Sequence, residues 1–564
     1  MSIITVDLVN FRLNEENMTA TVAPSPMASK NIVIPVFVES DGKQYTVIGI
    51  EDFAFARTGI KSITFGKGSK VTSFGNGCFS ESSLIRLTLP PNLSLVGNMW
   101  RSGARMLNEI KVTPANQHYV EENGVLYNKE KTILLNLPKD KTSITLPATL
   151  KIIPDDILIQ NNSLQSITIS PKNEYYSTEA GVLYNKDKTE MILCPKTKIS
   201  LTLPRTLKKF GELAFRNCGA LSSITVAATN NNFCVQHGLL FNHNKTIIYF
   251  CERNKTIVKI PNTVEIISPF AFSGCAALES LSFQENSKLQ VLQKYSFSHS
   301  AIKSVEIPSS VKKIDEGGFA SCKNLKILTF QDNSEIEIID RLAFASTPID
   351  TVKLPSSLKF IGGYTFAGCQ GLRSIIFPHN SQLEEIEEGS LAGSAIEEIE
   401  IPANVRKIGE SVFLNCEKLK TVSFAPDSKL ESIGKCSFSI PLLEKIVLPK
   451  SLKVIGIGTF ADTHKLKSVT FEEGSQLETI EEDGFCCSGI ESFDVPEGVS
   501  YLGRGAFIEC INLHKVVLNH KGTITIERNA FRGVADDFKL VIYSDAILQG
   551  EGVPEDEQIE KISQ

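Results

Sequence analysis

Six phenylalanines, Phe272, Phe319, Phe366, Phe413, Phe460 and Phe507, follow one another at intervals of 47 residues. A second series, Phe297, Phe344, Leu391, Phe438 and Phe485, runs between them at the same interval, so the steps alternate between 25 and 22 residues. A ladder of this kind restricts the chain to a repeat architecture. One unit cannot bury its own apolar side, whereas stacked units bury a continuous core.

Each step carries a short apolar segment of the form Leu-x-x-Ile-x-Ile/Leu, too short for a helix and alternating with period two, as a strand does. In the longer step it leads into turns ending at Ser287, Ser334, Ser381, Ser428 and Ser475, each preceded by Asn, Asp or Gly. These residues tolerate the positive φ a turn needs. In the shorter step it ends on proline, as in Ile307-Pro308 and Leu354-Pro355, because proline has no N–H for a strand ladder. The unit is a strand, a turn, a second extended piece and a tight bend at the Phe. Stacked strands about 4.8 Å apart make a parallel concave sheet. Cys218, Cys275, Cys322, Cys369, Cys416 and Cys510 each lie three residues after a ladder Phe, the placement of a buried structural thiol able to donate weakly to a carbonyl.

Upstream the period lengthens to 57, through Leu158, Phe215 and Phe272. The added length is itself repeated. Asn116-x-x-Tyr119, Asn173-x-x-Tyr176 and Asn230-x-x-Phe233 each precede a Gly-Val/Leu-Leu-Tyr/Phe-Asn segment and a polar turn, at residues 124–132, 181–189 and 238–246. Apolar residues flanking a polar turn predict an inserted β-hairpin. Phe55, Phe79 and Trp100 extend the ladder further. Residues 1–48 lie outside the frame and predict a β cap, with Val9, Phe11 and Leu13 alternating against polar neighbours and a turn at Asp41-Gly42. Residues 49–265 form the part with 57-residue units, 266–518 the part with strict 47-residue units, and 519–564 a C-terminal cap with a loose acidic tail from 549.

No stretch approaches the ~18 apolar residues of a membrane-spanning helix, and the N-terminus shows no basic start followed by an apolar run, so neither a span nor a secretory signal is expected. The net charge of −6 argues against nucleic acid, which calls for a basic surface. The 13 cysteines contain no CxxC pair and read as reduced thiols. The eight histidines show no HxH or HxxxH spacing, and there is no GxSxG, P-loop or GxGxxG. No catalytic residue, metal or cofactor is assigned, and no non-repeat domain of enzyme size is left over, so the chain is expected not to be an enzyme. Asn-x-Ser/Thr triplets stand at Asn17, Asn92, Asn161, Asn244 and Asn254.

Between Phe272 and Phe507 the strand positions that alternate with buried ones number two per repeat. Ser and Thr dominate them, with acidic Glu306, Glu398, Glu400 and Asp494 and basic Lys353, Lys445 and Lys515. No Trp, Tyr or Arg, the types enriched in binding hot spots, stands there. This face predicts a broad, weak, multivalent contact. The hairpins are an equal candidate, since loops on a rigid scaffold often carry function. The candidate ligand-binding residues are Thr351, Lys353, Glu398, Glu400 and Lys445 on the face, and Tyr127 and Tyr184 on the hairpins.

The pattern Ala-Phe-x-x-Cys-x-x-Leu-x-x-Ile-x-Ile-Pro-x-Ser-Val-x-x-Ile, read across Ile307 to Phe330, resembles the BspA-like surface-antigen family, the treponemal type of leucine-rich repeat. The Gly-Val-Leu-Tyr-Asn-Lys-x-Lys-Thr insert and the segment Asp41–Ile50 are similar to that family as well, and the likeness covers roughly residues 30–535. The resemblance implies a mainly β, curved leucine-rich-repeat solenoid with short turns. It also implies surface or secreted proteins that adhere to host or cell-surface proteins, with a glycan as a second partner class. It brings no catalytic residues. Two functions follow from different classes: an adhesin or surface antigen by resemblance, and an intracellular scaffold for protein partners, suggested by the missing signal and the reduced cysteines.

Overall fold

The computed structural model describes residues 2–562 apart from Asn98, Arg105, Asn162, Lys521, Ser544 and Asp545, with only the backbone of Asp156, Ile159 and Gln160. Its contacts divide the chain into two compact units, Met1–Lys198 with Thr206–Cys218, and Ile199–Arg205 with Gly219–Gln564. Each is a stack of parallel β coils. One short α-helix, Asp155–Gln160, and one 3-10 turn, Asp556–Gln558, are the helical elements among the described residues. The expected fold class, a β solenoid of stacked coils, is what the chain forms.

In the second unit the ladder is physical. Phe272, Phe297, Phe319, Phe344 and Phe366 stack with ring centroids 4.6, 5.0, 5.4 and 5.5 Å apart. Leu391 interrupts the series, and it resumes from Phe413 to Phe531 at 5.0 to 5.6 Å. Offset and edge contacts at this distance stabilise beyond the area they bury. The positions two residues before these rings, such as Phe270, Tyr295, Gly317 and Leu342, have φ near +60°. That left-handed residue turns each bend and aims the ring inward.

Two sheets run along this unit, and they differ. The unbroken one has sixteen strands, most of them two residues long, and contains Ile266–Ile267, Val291–Leu292, Lys313–Ile314 and their successors. The four-residue strands expected to form a continuous sheet join in pairs instead: Ile257–Ile260 with Ser280–Phe283, Ser304–Ile307 with Ile327–Phe330, Glu398–Ile401 with Thr421–Phe424. The breaks coincide with prolines. In most pairs the residue after the second strand donates back to the first, as Gln284 N does to Ile260 O (2.9 Å) and Ala425 N to Ile401 O (2.9 Å); Thr351–Lys353 and Ser374–Ile376 pair over three residues although that place is Pro378. In the alternate strands that residue is Pro261, Pro308, Pro355, Pro402, Pro449 or Pro496, which has no N–H to give. Tyr543 holds the equivalent place 47 residues after Pro496, and there four strands join in a row, Ser492–Val495, Lys515–Leu518, Lys539–Tyr543 and Ile559–Ile562. The last of these lies in the segment read as a loose acidic tail. It is held because Ile559 packs on the core and Leu540 to Tyr543 offer a free strand edge.

In the first unit, Ile3–Val6, Val9–Asn14 and Thr19–Ala23 pair antiparallel as expected, and Asp41-Gly42 turns between Phe37–Ser40 and Lys43–Ile50. Residues 1–48 also open the stack, since Thr19–Ala23 and Ser29–Ile34 pair parallel with the coil that follows. The ladder needs one correction. Phe55 N bonds to Cys78 O, the residue before Phe79, and Phe79 N bonds to Trp100 O (2.7 Å). By that pattern the next slot belongs to Arg101, not Trp100. Met99 has the positive φ of the bend two residues earlier, and Arg101 stands 57 residues before Leu158. Trp100 is half-buried against Phe74 and Phe79, while Arg101 is 7% exposed. An adjacent aromatic in the sequence stood in for the true slot.

Candidate functional site: the outward strand face and its clefts

The strands from Ser280 to Leu518 show the alternation their residues call for: Leu281, Val305, Val352, Ile399 and Ile446 point into the core. Of the 22 intervening positions, all are exposed except Ser374 and Val517, which are half-buried. Thr351, Lys353, Glu398, Glu400 and Lys445 therefore lie on one outward face of the second unit. Thr351 stands opposite Ser374, Glu398 opposite Thr421, Glu400 opposite Ser423, and Lys445 opposite Ser468.

The proline breaks shape this face. Where Glu398–Ile401, followed by Pro402, does not join Ser374–Ile376, a cleft of about 610 Å³ opens, lined by Ser374, Ile376, Glu398, Glu400, Thr421 and Ser423 among others. A second cleft, of about 530 Å³, lies two repeats on beside Pro496, with Ser468, Thr470, Ser492 and Asp494 in its walls. The face thus carries two notches with hydroxyl and carboxylate groups. Glu398 and Glu400 line one of them. Thr351, Lys353 and Lys445 are exposed on neighbouring strands but line neither.

The hairpins turn out differently from expectation. Tyr127 and Tyr184 are 2% and 1% exposed, so neither can meet a partner. Each sits on a strand, Val125–Asn128 or Val182–Asn185, that is central in its sheet and covered on both sides. Burial pushes both phenols up, with Glu122 and Glu179 adding to it. The polar residues of the inserts serve the inserts. Asn128 Oδ1 accepts from Thr132 N and Ile133 N (2.7 and 2.8 Å), and Asn185 and Asn242 repeat this. Lys131 pairs with Glu122 and Lys188 with Glu179. Buried Asn173 donates to Pro147 O and Leu150 O and accepts from Tyr175 N and Tyr176 N. Asn116 makes the same four bonds one insert earlier.

The cysteine slot is structural as read. Cys322, Cys369, Cys416 and Cys510 donate to the carbonyls of Phe297, Phe344, Leu391 and Phe485 at 3.0 to 3.2 Å. Burial pushes the Cys322 and Cys510 thiols up to about 11. Cys275 departs from this pattern. It accepts from Arg253 Nη1 (3.0 Å), and its pKa is lowered, first by the Cys251 thiol bonding to it and then by the Arg253 charge. Arg253 also donates to the carbonyls of Cys251, Ala271 and Phe270, so it ties the bend before Phe272 to the strand Ile247–Cys251. Among the described residues no cluster of three or more His, Cys, Asp or Glu could hold a metal ion, and no helix is long and apolar enough to cross a membrane.

Among solved structures, the chain is similar to a leucine-rich repeat protein from Bacteroides ovatus, with 18% identity over 97% of this chain and 99% of that one and a TM-score of 0.41. It is also similar to the pneumococcal vaccine antigen PcpA, at 18% identity over 73% of this chain and 94% of that one, TM-score 0.32. A Treponema pallidum leucine-rich repeat protein matches at 18% identity over 51% and 89%, TM-score 0.22. No curated protein matches. The BspA type leucine rich repeat region, in six copies, matches residues 42–140, 245–362, 337–440 and 431–547. That is more than half of the chain, and with the coils and ladders above it makes this protein a member of the BspA-type leucine-rich repeat family.

Proposed function

We propose that the chain is a non-catalytic protein-recognition molecule that acts as a surface antigen or adhesin through the outward strand face of its second unit. The observation that carries this reading is the face itself. Its residues are free of the core, and two clefts, two repeats apart, notch it at breaks between strand pairs. Glu398 and Glu400 in one notch and Asp494 in the other offer carboxylates to the rim of a protein partner, where charges steer association and select against wrong partners. The absence of large aromatic anchors on the face favours many modest contacts over one tight one.

A second reading, an intracellular scaffold, is favoured by one observation: all thirteen cysteines are free thiols, and exported proteins tend to pair theirs. Antibody labelling of intact source cells separates the two. Labelling without permeabilisation is expected. Labelling that appears only after permeabilisation overturns the adhesin reading and leaves the scaffold.

A further inference from the structure

The outward face of the second unit carries its charges in a fixed order. Between Ile257 and Val495 all of them stand on the strands that proline follows: Lys259, Glu306, Lys353, Glu398 with Glu400, Lys445 and Asp494. The strands between these hold only Ser, Thr and Ile at the outward positions. The sign therefore alternates from one 47-residue unit to the next, beginning with positive Lys259 and ending with negative Asp494. All of these charged side chains are exposed.

A neighbouring column behaves differently. One position before the strands, opposite charges pair within the chain, Lys303 with Glu279, Arg373 with Asp350 and Lys420 with Glu397. Among the described residues the charges of the face make no ion pair of this kind; Glu306 accepts from Gln331 Nε2 (3.3 Å). Strands stack about 4.8 Å apart, so successive units place their charges about 10 Å apart, beyond the ~8 Å screening length of physiological salt. Such a row is its own complement when a second copy lies across it in the opposite direction, about a two-fold axis at Ser374–Ile376. Lys353 then meets Glu398 and Glu400, Glu306 meets Lys445, and Lys259 meets Asp494, each contact occurring in both directions. An axis on a charged unit instead sets Lys353 against Lys353 and Glu306 against Glu400, so charge selects one register.

We propose that this face binds a second copy of the same chain, antiparallel, as a two-fold dimer. The proposal rests on the recognition reading in taking the same face, and gives that face its partner. Both clefts fit the register. Lys353 of the second copy enters the cleft lined by Ile376, Glu398 and Glu400, its stem on Ile376 and its ammonium between the carboxylates. Lys259 of the second copy enters the cleft that holds Asp494. Ile376, 45% exposed, lies at the axis and meets its own counterpart, which gives the contact an apolar centre inside a rim of charge.

Sedimentation equilibrium of the full chain, up to about 100 μM, is expected to show monomer and dimer, with the dimer weakened in about 1 M salt, where the screening length falls to ~3 Å. Lys353→Glu, and separately Glu398→Lys with Glu400→Lys, sets like charges together at both symmetry-related contacts. Each variant is expected to dimerise at least ~10-fold more weakly than the parent. An equimolar mixture of the two variants restores opposite charges at both contacts and is expected to dimerise as the parent does, which misfolded variants do not. A parent chain that stays monomeric, a dimer that neither variant weakens, or a mixture of folded variants that fails to recover overturns the proposal. A chain that labels on intact cells yet stays monomeric keeps the recognition reading and loses the dimer; a dimer that labels only after permeabilisation does the reverse.

Discussion

At the scale of single residues, one buried polar side chain can hold a whole insert. Asn173, itself buried, closes four hydrogen bonds to backbone groups, those of Leu150, Pro147, Tyr175 and Tyr176. Asn173→Ala removes all four bonds, one of them fully buried, and is expected to cost roughly 1–3 kcal/mol, read as a lower urea midpoint. Asn173→Asp should recover the two bonds to Tyr175 N and Tyr176 N but not those to the carbonyls, and fall between. The thiols give a pH dependence. Cys322 and Cys510 keep their protons to about 11 in the fold, whereas their ordinary value is 9.0. The unfolded chain therefore releases those protons first. The stability they contribute is whole below pH 9 and is lost as pH rises through about 11. A thermal midpoint that falls over that window in the parent chain, and falls less in a Cys322→Ser/Cys510→Ser double variant, is the expected outcome.

At the scale of elements, the aromatic ladder and the proline breaks do separate work. Phe366 is fully buried and stacks on Phe344, while Leu391 follows it without a ring. Phe366→Ala is expected to cost about 3–5 kcal/mol through the cavity it leaves, seen as a lower denaturation midpoint; an unchanged midpoint removes the ladder from the account of stability. How far this level could be read beforehand depended on the kind of signal. The ladder, the hairpins and the cysteine slot repeat, and a repeated signal at one register survives the loss of any single copy. The burial of Tyr127 and Tyr184 could not be read from their own segments, because it arises from what packs over the middle strand of each insert. The ring of Trp100 drew the ladder one residue off its slot. The 57-residue interval back from Leu158 to Arg101 was the signal that would have corrected it, but a charged residue does not announce a core position.

At the scale of the whole molecule, the repeat makes a prediction about length. Removing residues 355–401 joins Leu354 directly to Pro402 and takes out one full unit of 47 residues, so every surviving coil keeps the neighbour type it had. A folded protein with a single cooperative melt and unchanged β signal is expected, because a repeat stack is held by nearest-neighbour contacts. Removing residues 355–377 takes out only half a unit and brings like steps together; it is expected to melt well below the other deletion. If the two deletions behave alike, the alternation of long and short steps has no structural role. The sequence by itself determined the β-coil class, the period, the inward ladder and the outward strand face, since each follows from spacing and side-chain alternation that stacking must obey. The tertiary structure decided what spacing cannot encode. Whether neighbouring strands join in one sheet or in pairs depends on bonds that reach a strand more than twenty residues away. The burial of Tyr127 and Tyr184 likewise came from the strands that flank them and not from their own segments.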